Sequence, residues 1–560
     1  MNMGKIFSLR GLRITSQWLF LLFFLFLFLE TEGKGADELG WPVRFFLDFN
    51  PLILLTTLLS SHSAPVAFFL SLIMVLITLV LGRVFCGWIC PFGTIHNLVS
   101  RAADRTRALV RHPTWFKFKY YILVVMLALA AFGSQQAGLL DPISLLIRSL
   151  SVSIYPAFSL ATSALFDVVY HADISGVTTI SERIYNVLQD TVLPFQQGFF
   201  RQSVLIGLLF LGLLALNLYE RRFWCRYLCP LGALLGLLSR WSLLRREVAE
   251  GCTNCGACGR DCPGGAEPRS LHSWAPESKE PETDRTREAA RAMNSEAAAD
   301  WRHTECHACF NCDDICPHNL VKFRLGLPSF NWGGKLKKAQ SPPPALDLGR
   351  RRLVTAAVAG MAMVPLMRVG NLPAARANPK LIRPPGSVPE KEFLSRCVKC
   401  GECMKVCLTG GLQPTLLEAG VEGLWTPLLV PRMGYCEYHC TLCGQVCPTG
   451  AIERLSLEQK AKVRIGLAMF DRNRCLPWAY GIPCIVCEEV CPTPQKAIWF
   501  EESEVINSDG EMVMVQLPHV DPDICIGCGI CETLCPVTDQ PAVYVTSIGE
   551  SRSRENQLLL

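Results

Sequence analysis

The chain has 560 residues, half of them hydrophobic and 18% charged, with a net charge of +5 and 28 cysteines. That is long for one domain, and the apolar balance points to a membrane protein. Cysteines this clustered in a chain this long exclude a disulfide-stapled secreted mini-domain. In a membrane protein the placement of charge matters more than its sum.

Four apolar runs come first, at residues 14–29, 65–82, 120–132 and 203–219. With their flanks, each approaches the roughly 17–25 residues needed to cross a bilayer. The first is short enough for a signal-peptide core, but no clean small-residue cleavage site follows, so a retained helix is expected. The patches around 50–60 and 143–166 read as interfacial or re-entrant segments on the outer side, with an additional helix pair as the alternative. Basic residues set the orientation. Arg101, Arg105, Arg107, Arg111, Lys117 and Lys119 follow the second run, and Arg221, Arg222, Arg226, Arg240, Arg245 and Arg246 follow the fourth. Segments 30–50 and 134–200 are poor in Arg and Lys. The positive-inside rule then places the N-terminus and both basic connections in the cytoplasm.

Each basic connection opens on a related motif, "RVFCGWICPFG" with Cys86 and Cys90 and "RRFWCRYLCPLG" with Cys225 and Cys229. A fifth apolar run, 353–367, follows "GRRR". Arg351 and Arg352 ahead of a modest apolar stretch read as a twin-arginine export signal, and "ARAN" at 375–378 as a cleavage site; an ordinary fifth helix is the alternative. Either way the remainder lies outside.

The other cysteines fall into fours. Cys252, Cys255, Cys258 and Cys262 form C-x2-C-x2-C-x3-C, as do Cys306, Cys309, Cys312 and Cys316. Cys397, Cys400, Cys403 and Cys407 repeat it, as do Cys525, Cys528, Cys531 and Cys535. Two variants stretch the first gap: Cys436, Cys440, Cys443 and Cys447, and Cys475, Cys484, Cys487 and Cys491. A [4Fe–4S] cube needs four thiolates, and cysteines at every third position let one loop wrap a cluster. In two-cluster ferredoxins the fourth cysteine, before proline, reaches the neighbouring cluster. Zinc more often uses separated C-x2-C knuckles. Six clusters are therefore expected. Cys86, Cys90, Cys225 and Cys229 make a seventh set of four, read as another cluster or redox-active thiols, with structural cysteines as the plain alternative. His96 is a candidate quinone contact against an ordinary interfacial histidine. His307 and His439, inside cluster loops, read as supporting or surface residues. No nucleotide, flavin or molybdenum signature is visible, and nothing suggests nucleic-acid binding.

These readings divide the chain into an α-helical transmembrane domain (1–246), a cytoplasmic two-cluster ferredoxin domain with a charged insert (247–330), a linker with the twin-arginine helix (331–378), and a periplasmic four-cluster ferredoxin domain (379–560). The fold class is a helical membrane domain plus α+β bacterial-type ferredoxin modules.

"FCGWICPFG", "FWCRYLCPLG", "DPISLL" at 141–146 and the cytoplasmic eight-cysteine ferredoxin resemble the NapH-type membrane subunit of nitrate reductase systems. Related polyferredoxins occur in nitrous-oxide regulators and cytochrome-oxidase assembly proteins. The second half, with "RPPGSVPEKEFLSRCVKCGECMKVC", is similar to the NapG/MauM-type exported ferredoxin. The insert at 263–305, the long loop 134–200 and Leu408 in place of proline depart from the pattern. The resemblance implies a multi-pass protein of the bacterial inner membrane. It would be a quinol dehydrogenase subunit passing electrons from the quinone pool to a periplasmic reductase or cytochrome. It also implies that the first and last outer motifs share one lobe and the middle two another, so that Cys397, Cys400 and Cys403 pair with Cys535, and Cys525, Cys528 and Cys531 with Cys407. A maturation factor supplying electrons to a metalloenzyme, and flow outward from a cytoplasmic ferredoxin, are the competing functions.

Overall fold

The computed structural model describes residues 9–33, 37, 39–63, 65–103, 114–172, 177–194, 196–248, 257–266, 302–317, 319–326, 348–369, 378–553 and 556. The sites at Cys252 and Cys255, nearly all of the charged insert, and most of the "ARAN" stretch lie outside these residues.

The apolar runs are helices: α1 (Leu9–Glu30), α2 (Pro51–Ser61), α3 (Val66–Leu81), α4 (Pro91–Ala103), α5 (Phe118–Ala131), α6 (Pro142–His171), α7 (Val177–Thr191), α8 (Ser203–Tyr219), α9 (Pro230–Ser239) and α10 (Arg350–Val369). Among the described residues, α1 and α6 are long and apolar enough to cross a membrane, and α2, α3, α8 and α9 are shorter apolar helices. Segment 143–166 is continuous helix. It belongs to the 30-residue α6, which pairs with α7 through Phe166 and Tyr185. A π turn at Leu150–Ile154 lets α6 continue through five small and branched residues without breaking.

Capping shows why α2 and α6 start where they do. Asn50 and Asp141 each accept backbone N–H bonds from the first turn, each followed by proline at the first helical position. The two caps also meet, Asn50 Nδ2 donating to Asp141 Oδ1 at 2.6 Å. "NPLILL" and "DPISLL" are therefore one device used twice. The cysteine motifs double in the same way. In each, a π turn (Phe85–Ile89, Trp224–Leu228) carries the first cysteine, and the second ends the turn in extended backbone before the proline that opens α4 or α9. Both the cap and the cysteine turn thus occur twice in the helical part.

The remaining segments are short helices and two-stranded antiparallel sheets. Leu244–Val248 pairs with Val321–Leu325. In the C-terminal part Leu412–Pro414 pairs with Pro427–Leu429, Leu467–Phe470 with Val543–Thr546, and Ile498–Ile506 with Met512–Val520. The two cysteine-rich parts sit at opposite ends of α5, a 14-residue helix about 21 Å long. At its start Lys119 and Tyr120 bond Glu305. Just past its end Gln136 contacts Lys399 and Glu422. α10 lies along α5 so closely that a Cβ at Gly360 would stand 2.8 Å from Ala128 Cβ.

Candidate metal centres

In the C-terminal part, three voids are each lined by four cysteines. Cys397, Cys400, Cys403 and Cys447 surround about 370 Å3 of open-mouthed space. Cys407, Cys436, Cys440 and Cys443 border about 420 Å3. Cys475, Cys484, Cys487 and Cys535 border about 350 Å3. Cys525, Cys528 and Cys531 face Cys491, all within electrostatic reach. The nested pairing expected above is therefore corrected: Cys535 does not join Cys397, nor Cys407 the Cys525 loop. Consecutive motifs exchange their fourth cysteines because each pair of loops folds as one lobe. Glu402–Lys405 packs on Leu442–Val446, and Val486–Glu489 on Ile530–Thr533. The two lobes join where the Cys436 N–H donates to the Cys528 carbonyl at 2.8 Å.

The donor set fits a four-iron cube. Among the described residues no three His, Cys, Asp or Glu side chains converge on a single-ion position. The sulfurs instead stand around a space, as a cluster with an iron at each corner requires. Backbone and hydroxyl groups also address the sulfurs: Ile452 N–H donates to Cys447 Sγ at 3.4 Å, and Thr493 Oγ1 lies 3.2 Å from Cys491 Sγ. Gly401 and Gly529 at φ +85° let their loops turn back. Burial, helped by neighbouring sulfurs, pushes the Cys487 thiol up to about 12. Burial raises Cys397 to about 11, against the pull of the Lys399 backbone N–H. As thiols these groups hold their protons at neutral pH, so ligation must expel them.

At the opposite end Cys262 reaches Cys306, Cys309 and Cys312, so here too a fourth cysteine joins the other motif's set. The turn carrying Cys258, Ala257–Arg260, packs against Asn311–Asp314, which carries Cys312. This part is clamped onto both π turns. Trp88 Nε1 donates to the Ala308 carbonyl at 2.9 Å, and Arg226 donates to the Cys262 and Pro263 carbonyls at 2.8 and 2.9 Å. A Cβ at Gly87 would stand 2.4 Å from the His307 carbonyl, so only glycine permits the approach.

Between the π turns, Cys86, Cys90, Cys225 and Cys229 come within electrostatic reach of one another. Gly93 N–H donates to Cys90 Sγ at 3.4 Å and Gly232 N–H to Cys229 Sγ at 3.2 Å. Two residues beside them escaped the sequence reading. Arg83 and Arg222 each stand three residues before the first cysteine of a motif and are 0% and 1% exposed. Nε and one terminal nitrogen of each have no hydrogen-bond partner. The signal is R-x-x-C, present in both copies.

His96 lines none of the voids described above. It is fully buried, with Nδ1 2.6 Å from Asn217 Nδ2 and its ring edge-on to Phe92. His307 is buried with Nδ1 3.3 Å from Arg222, and His439 is exposed beside Tyr438. Arg351 and Arg352 are exposed in the first turn of α10.

A charged clasp closes the C-terminal part. Arg383 and Arg552 hold Glu390 at 2.6 and 2.8 Å. Burial works to raise this carboxyl, but the two guanidinium groups overcome it and hold it at about 2. Its folded value lies below its unfolded one, so the clasp stabilises fully above about pH 4.5 and is lost as pH falls towards 2. Glu390→Gln is expected to lower stability at pH 7 by on the order of 3 kcal/mol and to flatten the acid limb of the melting profile. Thermal melts from pH 7 to 3 read both; an unchanged acid limb would remove the clasp from the account.

Comparison with known proteins agrees with this chemistry. A family model described as a 4Fe-4S binding domain matches residues 63–131 and 202–248, and a second of the same description matches 517–541. The first match contains Cys86, Cys90, Cys225 and Cys229 and no other cysteine. The ferredoxin-type protein NapG of Escherichia coli is 37% identical over 202 residues, 35% of this chain and 85% of that protein. The methylamine utilization ferredoxin-type protein MauM of Methylorubrum extorquens is 38% identical over 176 residues, 31% of this chain and 75% of that protein. A putative electron transport protein of Escherichia coli, YccM, is 26% identical over 298 residues, 52% of this chain and 65% of that protein. No solved structure matches. The chain is an iron–sulfur electron-transfer protein of ferredoxin type.

Proposed function

We propose that this chain, which belongs to the family of NapG- and MauM-type ferredoxins, is a natural fusion of such a ferredoxin with a NapH-like membrane part. It oxidises membrane quinol and passes the electrons outward to a periplasmic reductase or cytochrome. The four-part division and the multi-pass inner-membrane topology belong to the same reading. So does the assignment of the six four-cysteine groups as ligands, with their fourth cysteines exchanged between neighbouring motifs. Bound clusters supply one-electron storage and transfer. The chain's own residues hold them in series and clamp the two ferredoxin parts to the helices.

The observation that carries the proposal is the pair of clamps. The Cys306–Cys309 loop meets the π turn of Cys86–Cys90 at one end. At the other, Arg148 donates to the Lys399 carbonyl at 2.9 Å inside the Cys397–Cys400 loop. Arg148 is buried and stacks on Trp425 at 4.6 Å, which fixes that loop against α6. Membrane insertion is supported by α1 and α6 and by the exposed Leu, Phe and Val side chains along α1 and α8. α10 runs beside α5 from Leu348, bonded by Tyr121, to Arg368, which bonds Phe132 and Glu422. That favours a retained helix over a cleaved signal.

The test is anaerobic mixing of the oxidised, cluster-loaded protein with menaquinol in detergent, with cluster reduction followed by EPR. Rapid reduction is the expected result. Reduction by a low-potential ferredoxin but not by quinol would overturn the quinol reading in favour of electron flow from the cytoplasm.

A further inference from the structure

We propose that the void between α1, α6 and the first C-terminal lobe is the headgroup site for an isoprenoid quinol, and that its electrons enter at the cysteine set containing Cys407. This rests on the quinol reading above and gives it a place away from His96. The void opens to solvent and is lined by three separate parts of the chain, 32–33 with 151–156, 194–200 and 404–410. Two of its walls come from the helices long enough to cross a membrane: Glu32 and Gly33 follow α1, and Ser151 and Tyr155 lie in α6. An isoprenoid tail leaving the void thus has apolar helix surface to follow. The far wall is Met404–Leu408, so Cys407 borders the space directly.

The lining is built for a polar ring. Ser151 is 2% exposed, and its hydroxyl has no hydrogen-bond partner. A buried hydroxyl without a partner, at a residue that lines a void, is a standing cost unless a ligand or water meets it. It sits in the π turn of α6, a local irregularity found frequently at functional sites. Lys405 ties the walls together: Nζ donates to the carbonyls of Phe28 and Thr31 at 2.6 Å each and lies 5.3 Å from the Tyr155 ring centroid. The departure at Leu408 is now accounted for. Cys447, Cys491 and Cys535 precede prolines, whereas the leucine here lines the void and closes over Gly33, where a Cβ would stand 2.6 Å from Leu408 Cδ2.

The step balances. Both O–H bonds of the quinol break and the ring becomes quinone. One proton goes to the Glu32 carboxylate and one to water on the outer side. The two electrons go singly to the two clusters of the first lobe, which are the oxidant. Ser151 Oγ holds one ring oxygen.

The probe is heptyl-hydroxyquinoline N-oxide, a quinol analogue that undergoes no redox change, titrated into the full cluster-loaded chain by quenching of its own fluorescence. Saturable binding by the native chain is expected. Ser151→Ala should weaken it about tenfold, and Gln196→Trp, at an exposed position on the rim, should abolish it, with iron content unchanged in both. Absent saturable binding, or equal affinity in both variants, overturns the site. Menaquinol reducing Gln196→Trp at the native rate overturns the site and leaves quinol oxidation standing. Analogue binding that both variants weaken, without any reduction by menaquinol, overturns quinol oxidation and supports the site.

Discussion

Replacing Cys225 with serine is expected to lower the iron content of the fully loaded chain from about 28 atoms to about 24, one cluster of the seven. The reason is charge. Arg83 and Arg222 are fully buried beside Cys86, Cys90, Cys225 and Cys229, with two nitrogens of each unpartnered. Glu305 answers Arg83 but is shared with Lys119, so the buried cations Arg83, Lys119 and Arg222 outnumber that one carboxylate, and excess buried positive charge costs several kcal/mol that four neutral thiols would not offset. Four thiolates around a cluster carry net negative charge at that position and offset the excess. A family model for 4Fe-4S binding spans these cysteines alone. Iron and sulfide assays with EPR of the reduced protein read the outcome. A native count near 24 with the other sets fully loaded would remove the seventh cluster and leave a thiol system between the π turns.

Replacing Glu305 with alanine is expected to be the most damaging single change where the 302–312 loop is clamped, at roughly 3–5 kcal/mol. Its carboxylate is 1% exposed and meets Arg83 at 3.3 Å, Lys119, and the Tyr120 hydroxyl at 2.7 Å. Removal strands two buried cations and a phenol at the point where the 302–312 loop docks on α5. Hydrogen exchange reads the effect locally: amides of 302–312 should exchange on the order of a hundredfold faster while those of 397–407 stay unchanged. Glu305→Gln, which keeps the acceptor for Tyr120, should lose less. Equal protection in wild type and Glu305→Ala would mean that the carboxylate does not hold the clamp.

Much of the site was legible from spacing alone. C-x2-C-x2-C places three sulfurs on one loop whatever surrounds it, so the groups and their cofactor class could be read locally. The partner of each fourth cysteine could not. Cys407, Cys447, Cys491 and Cys535 leave their own loops, and which loop they enter depends on how lobes pack. Hence the nested pairing failed and the consecutive one was found. The apolar runs likewise located helices, but the full 30-residue length of the helix through 143–166 was hidden because Ser144, Arg148, Ser149, Ser151 and Ser153 dilute its hydropathy. The fold buries all five, Arg148 against the Cys397–Cys400 loop.

Spacing alone carried the chemistry: thiolate sets for iron–sulfur clusters, two ferredoxin parts, and two further cysteine pairs in related motifs among the apolar runs. Those features repeat at fixed short intervals, and local geometry dictates them. Tertiary structure alone decided what lies far apart in the chain yet meets in space. The caps of Asn50 and Asp141 join, Glu305 neutralises Arg83 and Lys119, consecutive motifs trade cysteines, and a void opens beside Cys407 between two helix ends. Each depends on the packing of elements tens to hundreds of residues apart, where burial turns an ordinary arginine or serine into a group that must find a partner.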